Sequence, residues 1–371
     1  MIQILLKHKK IIIFYFLFLF IHNTYIISKY YQLSIGKKYL NKCLNSINFN
    51  RKLSIKNTFP KISVIIPVFN CEDSIKLSIA SIQEQRLEEI EIVLVNDFSK
   101  DNSRSIIERM QKEDPRIVII NNSQNKGTLY SRNIGAIYAS GKYILCLDND
   151  DMFLNDNLVL KLYNIEEKYE YDIIGFKIIN GNSYIENVFN MYDDPFIVQK
   201  DDKTVFQPNL KFLSITNNDC HIWGKLIKNE IYKNAIYLLG PKRSTTYLCN
   251  AEDDVIVLML FNVAKSFRFI PFYGLFHLIS KKTAAYTLPK NHILFSKLFF
   301  WDLLFDFTGN NSKEKKYVID NIVLVKNLIL SKNITFNKRN KKYLKKFLKK
   351  VFKCPHISKK DKRYLKNIFY L

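Results

Sequence analysis

A chain of 371 residues, 47% hydrophobic and 25% charged, can bury a sizeable core, which excludes wholesale disorder. Its 10 glycines and the lack of any repeat period exclude collagen-like and solenoid architectures. Six scattered cysteines with no CxxC pair exclude a zinc ribbon and a dense disulfide framework, and the net charge of +23 points to anionic partners.

The chain begins with a basic tail, residues 1–10, in which Lys7, Lys9 and Lys10 precede an apolar run. Residues 11–28 are long enough, at the short end, for a signal anchor that spans a membrane. A cleaved signal peptide has the same charge pattern, but no A-x-A-like site follows. Cations on the N-terminal side place that end in the cytosol and the body across the membrane. The expectation is a single-pass type II membrane protein of the ER or Golgi with a lumenal body. Sequons at Asn121, Asn310 and Asn333 are compatible with it. Residues 29–60 are mixed and polar and read as a stem.

A regular alternation starts at Lys61. The runs KISVIIPVFN, IEIVLVND, RIVIIN and Tyr143 to Leu147 read as buried strands. Between them, Ser74 to Gln85, Ser103 to Lys112 and Thr128 to Ala139 carry apolar residues at helical spacing. Continuous apolar strands alternating with amphipathic helices predict an α/β fold with a Rossmann-like, mostly parallel sheet flanked by helices. Ligands of such sheets bind beyond the carboxyl ends of the strands. Further on, DIIGFKII reads as a strand and DCHIWGKLIKNEIYKNA as a turn into a helix. LCNAEDDVIVLMLFNVA places three acids before an apolar helix. Residues 286–371 form a basic helical extension, and 336–371 hold 14 Lys and Arg against Asp361 alone. In KKYLKKFLKKVFK the apolar positions fall on one stripe. That favours a helix packed on the body or lying on a membrane over a nucleic-acid surface.

Chemistry-bearing residues gather where strands end. Asp148, Asn149 and Asp150, in GKYILCLDNDDMF, set two carboxylates two residues apart directly after an apolar strand. Such oxygens suit Mg²⁺ or Mn²⁺, but an exposed acidic turn uses the same letters. Asp97, in LVNDFSKDNS, either accepts a hydrogen bond from a ligand or caps the next helix. Glu252, Asp253 and Asp254 complement a helix dipole, unless one of them is a general base. His277, in GLFHLIS, is either a core histidine or a metal ligand.

In this order the motifs resemble family 2 glycosyltransferases of the GT-A fold. The matching run extends from ISVIIPVFN through NKGTLYSRNIG to LDNDD, about a quarter of the chain, and continues more loosely through WGKL and AEDD. The resemblance implies a metal-dependent, inverting glycosyltransferase of hexosyltransferase type. It would move sugar from a nucleotide-sugar, a UDP-sugar, to a hydroxyl on a glycan, protein or lipid. It implies a nucleotide-sugar-binding half at 61–151 and an acceptor half at 152–285. By the same resemblance Phe69 stacks near the base, Asp97 hydrogen-bonds it, and Arg132 approaches the diphosphate. Asp148 and Asn149 lie near the ribose, Asp150 and His277 hold Mn²⁺ or Mg²⁺, and Asp253 is the base. The chain departs from the pattern with Asn96 in place of the first acid of a usual pair, Phe98 where glycine is common, and Phe69 for a frequent tyrosine. The rival is a non-catalytic, membrane-anchored binding protein that retains the fold. Intact Asp97, Asp150 and Asp253 argue against it.

Overall fold

The computed structural model describes residues 59–181, 221–278, 290–308, 315–320 and 337–369. The expected anchor at 11–28 and nearly all of the stem lie outside them. Among the described residues no helix is long and apolar enough to cross a membrane.

Strands β1 (Ile62–Val68) and β2 (Ile90–Asn96) are buried along their whole length, so they read as unbroken apolar runs instead of alternating ones. Helices α1 (Ile75–Gln83) and α2 (Ser103–Glu113) follow them. Strand β3 (Ile117–Asn121), helix α3 (Thr128–Tyr138) and strand β4 (Tyr143–Cys146) complete the first half. The pairings β3–β2, β2–β1 and β1–β4 are all parallel, which brings their carboxyl ends to one edge. Helix α3 lies so close to the sheet that a Cβ at Gly135 would stand 2.6 Å from Ile65 Cγ2.

The second half runs through β5 (Met152–Phe153), α4 (Leu158–Tyr169), β6 (Ile173–Gly181), β7 (Lys225–Lys228), α5 (Asn229–Leu239) and a single turn, α6 (Pro241–Ser244). Helix α7 (Glu252–Val263) and strand β8 (Phe267–Leu278) close it. The eight strands of the described residues form one sheet in the order β3-β2-β1-β4-β7-β6-β8-β5. Strand β7 is antiparallel to both β4 and β6, β5 is antiparallel to β8, and β6 is parallel to β8. The expected mostly parallel sheet therefore holds for the first half, and the second half makes the sheet mixed. The run read as a turn into a helix, DCHIWGKLIKNEIYKNA, contains β7. Leu226 and Ile227 are fully buried there, and the Lys225 ammonium satisfies itself on the His221 carbonyl at 2.6 Å. Four residues bounded by two lysines offer too little periodicity to announce a strand.

The basic extension contains α8 (Lys290–Phe307), α9 (Lys338–Lys353) and α10 (Lys359–Phe369). The stripe on α9 packs on the body: Leu344, Phe347, Leu348 and Val351 are buried, and Phe347 meets Phe305 of α8 edge-on at 5.7 Å. Tyr343 donates to Asp302 at 2.8 Å, and Lys350 reaches Asp306 at 2.7 Å as well as Asp302. The alternative that this apolar face lies on a membrane is thereby corrected, because α8 already covers it. Cys71, Cys146, Cys249 and Cys354 are free thiols.

Candidate active site

Beyond the carboxyl ends of β1 and β2, two loops are stitched together. The Lys100 amide donates to Asn70 Oδ1, the Cys71 amide to Ser103 Oγ and the Asn102 amide to Glu72 Oε2, each at 2.8 Å. Asn70 and Phe98 take φ values of 48° and 65°, a region that costs an L-residue on the order of 1 kcal/mol. The stitching holds them there. As a result Phe69 and Phe98 stand partly open, 43% and 39% exposed, at the mouth of the sheet. Lys100 Nζ lies 3.5 Å from the centre of the Phe98 ring.

Asp97 follows β2 and is buried. Its Oδ1 accepts from the Asn122 side chain and the Lys126 amide, and its Oδ2 from the Gly127 amide, all at 2.8 Å. A carboxylate has about four acceptor directions, so one remains for a ligand. Asp97 does not cap α2, where the Ser103 amide donates to Asp101 Oδ1 at 3.0 Å instead. Gly127 has φ +86°, and a Cβ there would stand 2.7 Å from the Leu248 carbonyl oxygen. Glycine alone fits this approach between the loop before α3 and the segment before α7.

Arg132, on α3, forms the centre of the site. Its side chain is 2% exposed and donates to Asp148 after β4 and to Glu252 and Asp253 in the first turn of α7. The Glu252 contact is 3.0 Å. A helix N-terminus favours acids by its dipole, and that is where the chain places these two. Burial opposes the Arg132 charge, yet the three carboxylates outweigh it and hold the proton on firmly. Burial likewise resists ionisation of Asp253, but the Arg132 charge, helped by His221, holds it below the usual carboxylate range. Glu252 goes the other way, raised by burial and by the adjacent Asp253 charge.

Asn149 donates to the Pro67 carbonyl at 2.9 Å, which ties the acidic turn to β1. Asp150 is pushed up to about 7 by burial and by the charges of Asp148 and Asp151. Asp151 is fully buried, accepts from the Leu278 amide at 3.1 Å, and faces His277 Nδ1 at 2.9 Å. Burial alone would lower His277, but its bond to Asp151 raises it. The sequence set His277 beside Asp150 as a ligand pair. The structure bonds its Nδ1 to Asp151 and leaves Nε2 for any other partner. His277 also stacks on Trp223 at 4.8 Å, Trp223 stacks on His221 at 4.0 Å, and His221 Nδ1 lies 3.8 Å from Asp253 Oδ2. A column of three rings thus runs from Asp151 to Asp253. Sequence reading gave no role to Asp151, His221 or Trp223. The signals were a fourth acidic-turn letter and an H-x-W whose Trp223 opens the WGKL of the family resemblance.

Carboxylates with one imidazole nitrogen and no thiolate form a donor set suited to Mg²⁺ or Mn²⁺. Among the described residues no three His, Cys, Asp or Glu side chains stand as a ready ligand set. These ions, Mg²⁺ above all, commonly take one or two protein ligands and complete the shell with phosphate oxygens and water. Asp150 and His277 Nε2 fit that pattern.

Residues 63–229 match the model of glycosyl transferase family 2. This segment is a family 2 glycosyltransferase domain. The GalNAc(5)-diNAcBac-PP-undecaprenol β-1,3-glucosyltransferase of Campylobacter jejuni is 33% identical over 133 residues, 36% of this chain and 41% of that protein. The UDP-Glc:α-D-GlcNAc-diphosphoundecaprenol β-1,3-glucosyltransferase WfgD of Escherichia coli is 31% identical over 125 residues, 33% of this chain and 49% of that protein. The chain thus spans less than half of either relative's length. S. aureus TarS residues 1–349, solved in complex with UDP-GlcNAc, share the fold with a TM-score of 0.50 at 17% identity, covering 73% of each chain.

Proposed function

We propose that the protein is an inverting glycosyltransferase that moves a sugar from a UDP-sugar to a hydroxyl acceptor on a glycan, protein or lipid. One observation carries the reading: Arg132 gathers Asp148, from the end of a parallel strand, and Asp253, from a helix start 105 residues later in the numbering, around one buried point. A cap or a solvated turn has no need of that long-range convergence. The name of the E. coli relative supports a UDP-sugar donor, and the names of both undecaprenol-linked relatives favour a lipid-linked glycan within the acceptor class.

In this reading the nucleobase rests at the open faces of Phe69 and Phe98, with the remaining acceptor direction of Asp97 turned to its N–H edge. Asp148 and Asn149 border the ribose. Arg132 exchanges part of its carboxylate contacts for diphosphate oxygens, which keeps a buried cation paired throughout. Asp150 and His277 would hold Mg²⁺ or Mn²⁺, whose chemistry is to neutralise charge on the departing diphosphate. Asp253 takes the proton of the acceptor hydroxyl as that oxygen bonds to the anomeric carbon and the bond from that carbon to the diphosphate breaks. A single displacement inverts configuration. Its low proton affinity keeps Asp253 ionised through neutral pH, as a base must be. The test is release of nucleoside diphosphate from a panel that includes UDP-glucose and UDP-GlcNAc. Release by the wild type and its loss in Asp253→Asn are expected; equal rates in the two would overturn the assignment.

A further inference from the structure

The ring column from Asp151 to Asp253 has one member on the solvent side. His221 is 47% exposed on its side chain, against 16% for Asp253. Trp223, 5% exposed, backs it at an interplanar angle of 9°, and His277 in turn backs the other face of Trp223. The imidazole is therefore held in one orientation although its outer face is open. The two oxygens of Asp253 are differently placed. Oδ1 meets Arg132, on the side of Asp148, and Oδ2 faces His221 Nδ1 across 3.8 Å.

That gap is too wide for a direct hydrogen bond and suits one bridging oxygen at about 2.8 Å from each group. A hydroxyl has a single proton, and the carboxylate is the stronger acceptor, so the proton points to Asp253. The oxygen then accepts from an N–H on the imidazole. This leaves its remaining lone pair directed by two fixed partners.

We propose that His221 is a catalytic residue of the transfer reaction, its Nδ1–H holding the acceptor hydroxyl oxygen against Asp253 Oδ2. The inference rests on the reading of Asp253 as the base. No proton is taken up by His221; the hydroxyl proton passes to Asp253 and the new bond forms from the lone pair that the two partners aim. The group so held is an alcohol of the acceptor, or water when the donor is hydrolysed without one.

Because water fills the same position, the test needs no identified acceptor. UDP release from UDP-glucose and UDP-GlcNAc is followed with water as the acceptor, together with UDP affinity and the thermal midpoint of each variant. His221→Asn keeps an N–H near the Nδ1 position but loses the ring. His221→Phe keeps the ring on Trp223 but loses the N–H. The expected order is wild type, then Asn within about threefold, then Phe lower by about tenfold or more in kcat, with KM for the donor unchanged. The reverse order, Phe active and Asn inactive, would show that the ring acts only by stacking. A Phe variant equal to wild type would also overturn the proposal. A folded wild type that binds UDP but releases none from any donor would instead remove the base assignment, and this inference with it.

Discussion

The two halves of the sheet build the site by different means. In the first, three consecutive parallel pairings deliver Phe69, Asp97 and Asp148 to one edge by local βαβ connections, and each residue sits within a few positions of a strand end. In the second, Asp253 begins a helix, His277 lies near the end of an irregular strand, and His221 precedes a four-residue strand. No local rule places these together. Register shifts between Phe176 and Ile178 in the β6–β8 pairing show how far this half departs from a regular ladder. The first-half side of the site is thus a property of topology, and the second-half side a property of side chains that meet across it.

The sharpest way to probe that division is to remove the group that acts only from the second half. Asp253→Asn is expected to lower transfer by about 10²- to 10⁴-fold, the usual contribution of a positioned base, while UDP affinity measured by calorimetry stays within a few-fold. If UDP binding fell as steeply as transfer, the two halves would not divide their labour as described.

Arg132 is the tie between them, so its loss should be felt as instability first. Arg132→Ala leaves Glu252 and Asp253 without their shared cation, and breaking a buried ion pair costs about 3–5 kcal/mol. The expected outcome is a clear drop in the midpoint of chemical unfolding, with Arg132→Lys recovering part of it. A neutral Arg132→Ala would show that the halves are held by the sheet alone.

Gly127 offers a smaller break on the same seam. Gly127→Ala puts a side chain at positive φ and 2.7 Å from the Leu248 carbonyl, which is expected to cost about 1–3 kcal/mol. The Gly127 amide is also a donor to Asp97, so UDP affinity should fall with it. Unchanged affinity in a destabilised variant would separate Asp97 from donor binding.

How much of this was legible follows the same line. Residues Ile62–Val68 and Ile90–Asn96 announced themselves because strands buried on both faces must be apolar throughout. Helices α1 and α2 announced themselves because one face only is buried. Asp148 and Asp253 were legible as motifs, but their meeting through Arg132 was not, since nothing in a local window encodes a contact across 121 positions. Asp151 was hidden because an acid after a strand reads as solvated, and only the fold reveals that it is fully buried against His277. Strand β7 was hidden by its flanking lysines, one of them buried. The stripe on α9 was read correctly as amphipathic, while its partner, α8, is a tertiary fact.

The mildest test concerns the seam on the edge away from the site. Glu166, on α4, is fully buried, and neither carboxylate oxygen has a hydrogen-bond partner. Burial, with a contribution from Asp172, pushes it up to about 8, against the pull of Lys228 and Lys142. These neighbours come from the starts of β4 and β6 and the end of β7, where the two halves adjoin. An acid whose proton is held more tightly in the folded state adds nothing unfavourable below its unfolded value, near 4.5. As pH rises from there to about 8, the unfolded chain releases the proton first, and stability falls along that interval. Glu166→Gln removes the titration. Its unfolding free energy should match wild type at pH 4 up to a constant offset and gain on it by about 1–3 kcal/mol at pH 8. A difference between the two proteins that stays flat from pH 4 to 8 would mean that Glu166 is ionised and solvated in the folded state, and that the seam between the halves is open to water.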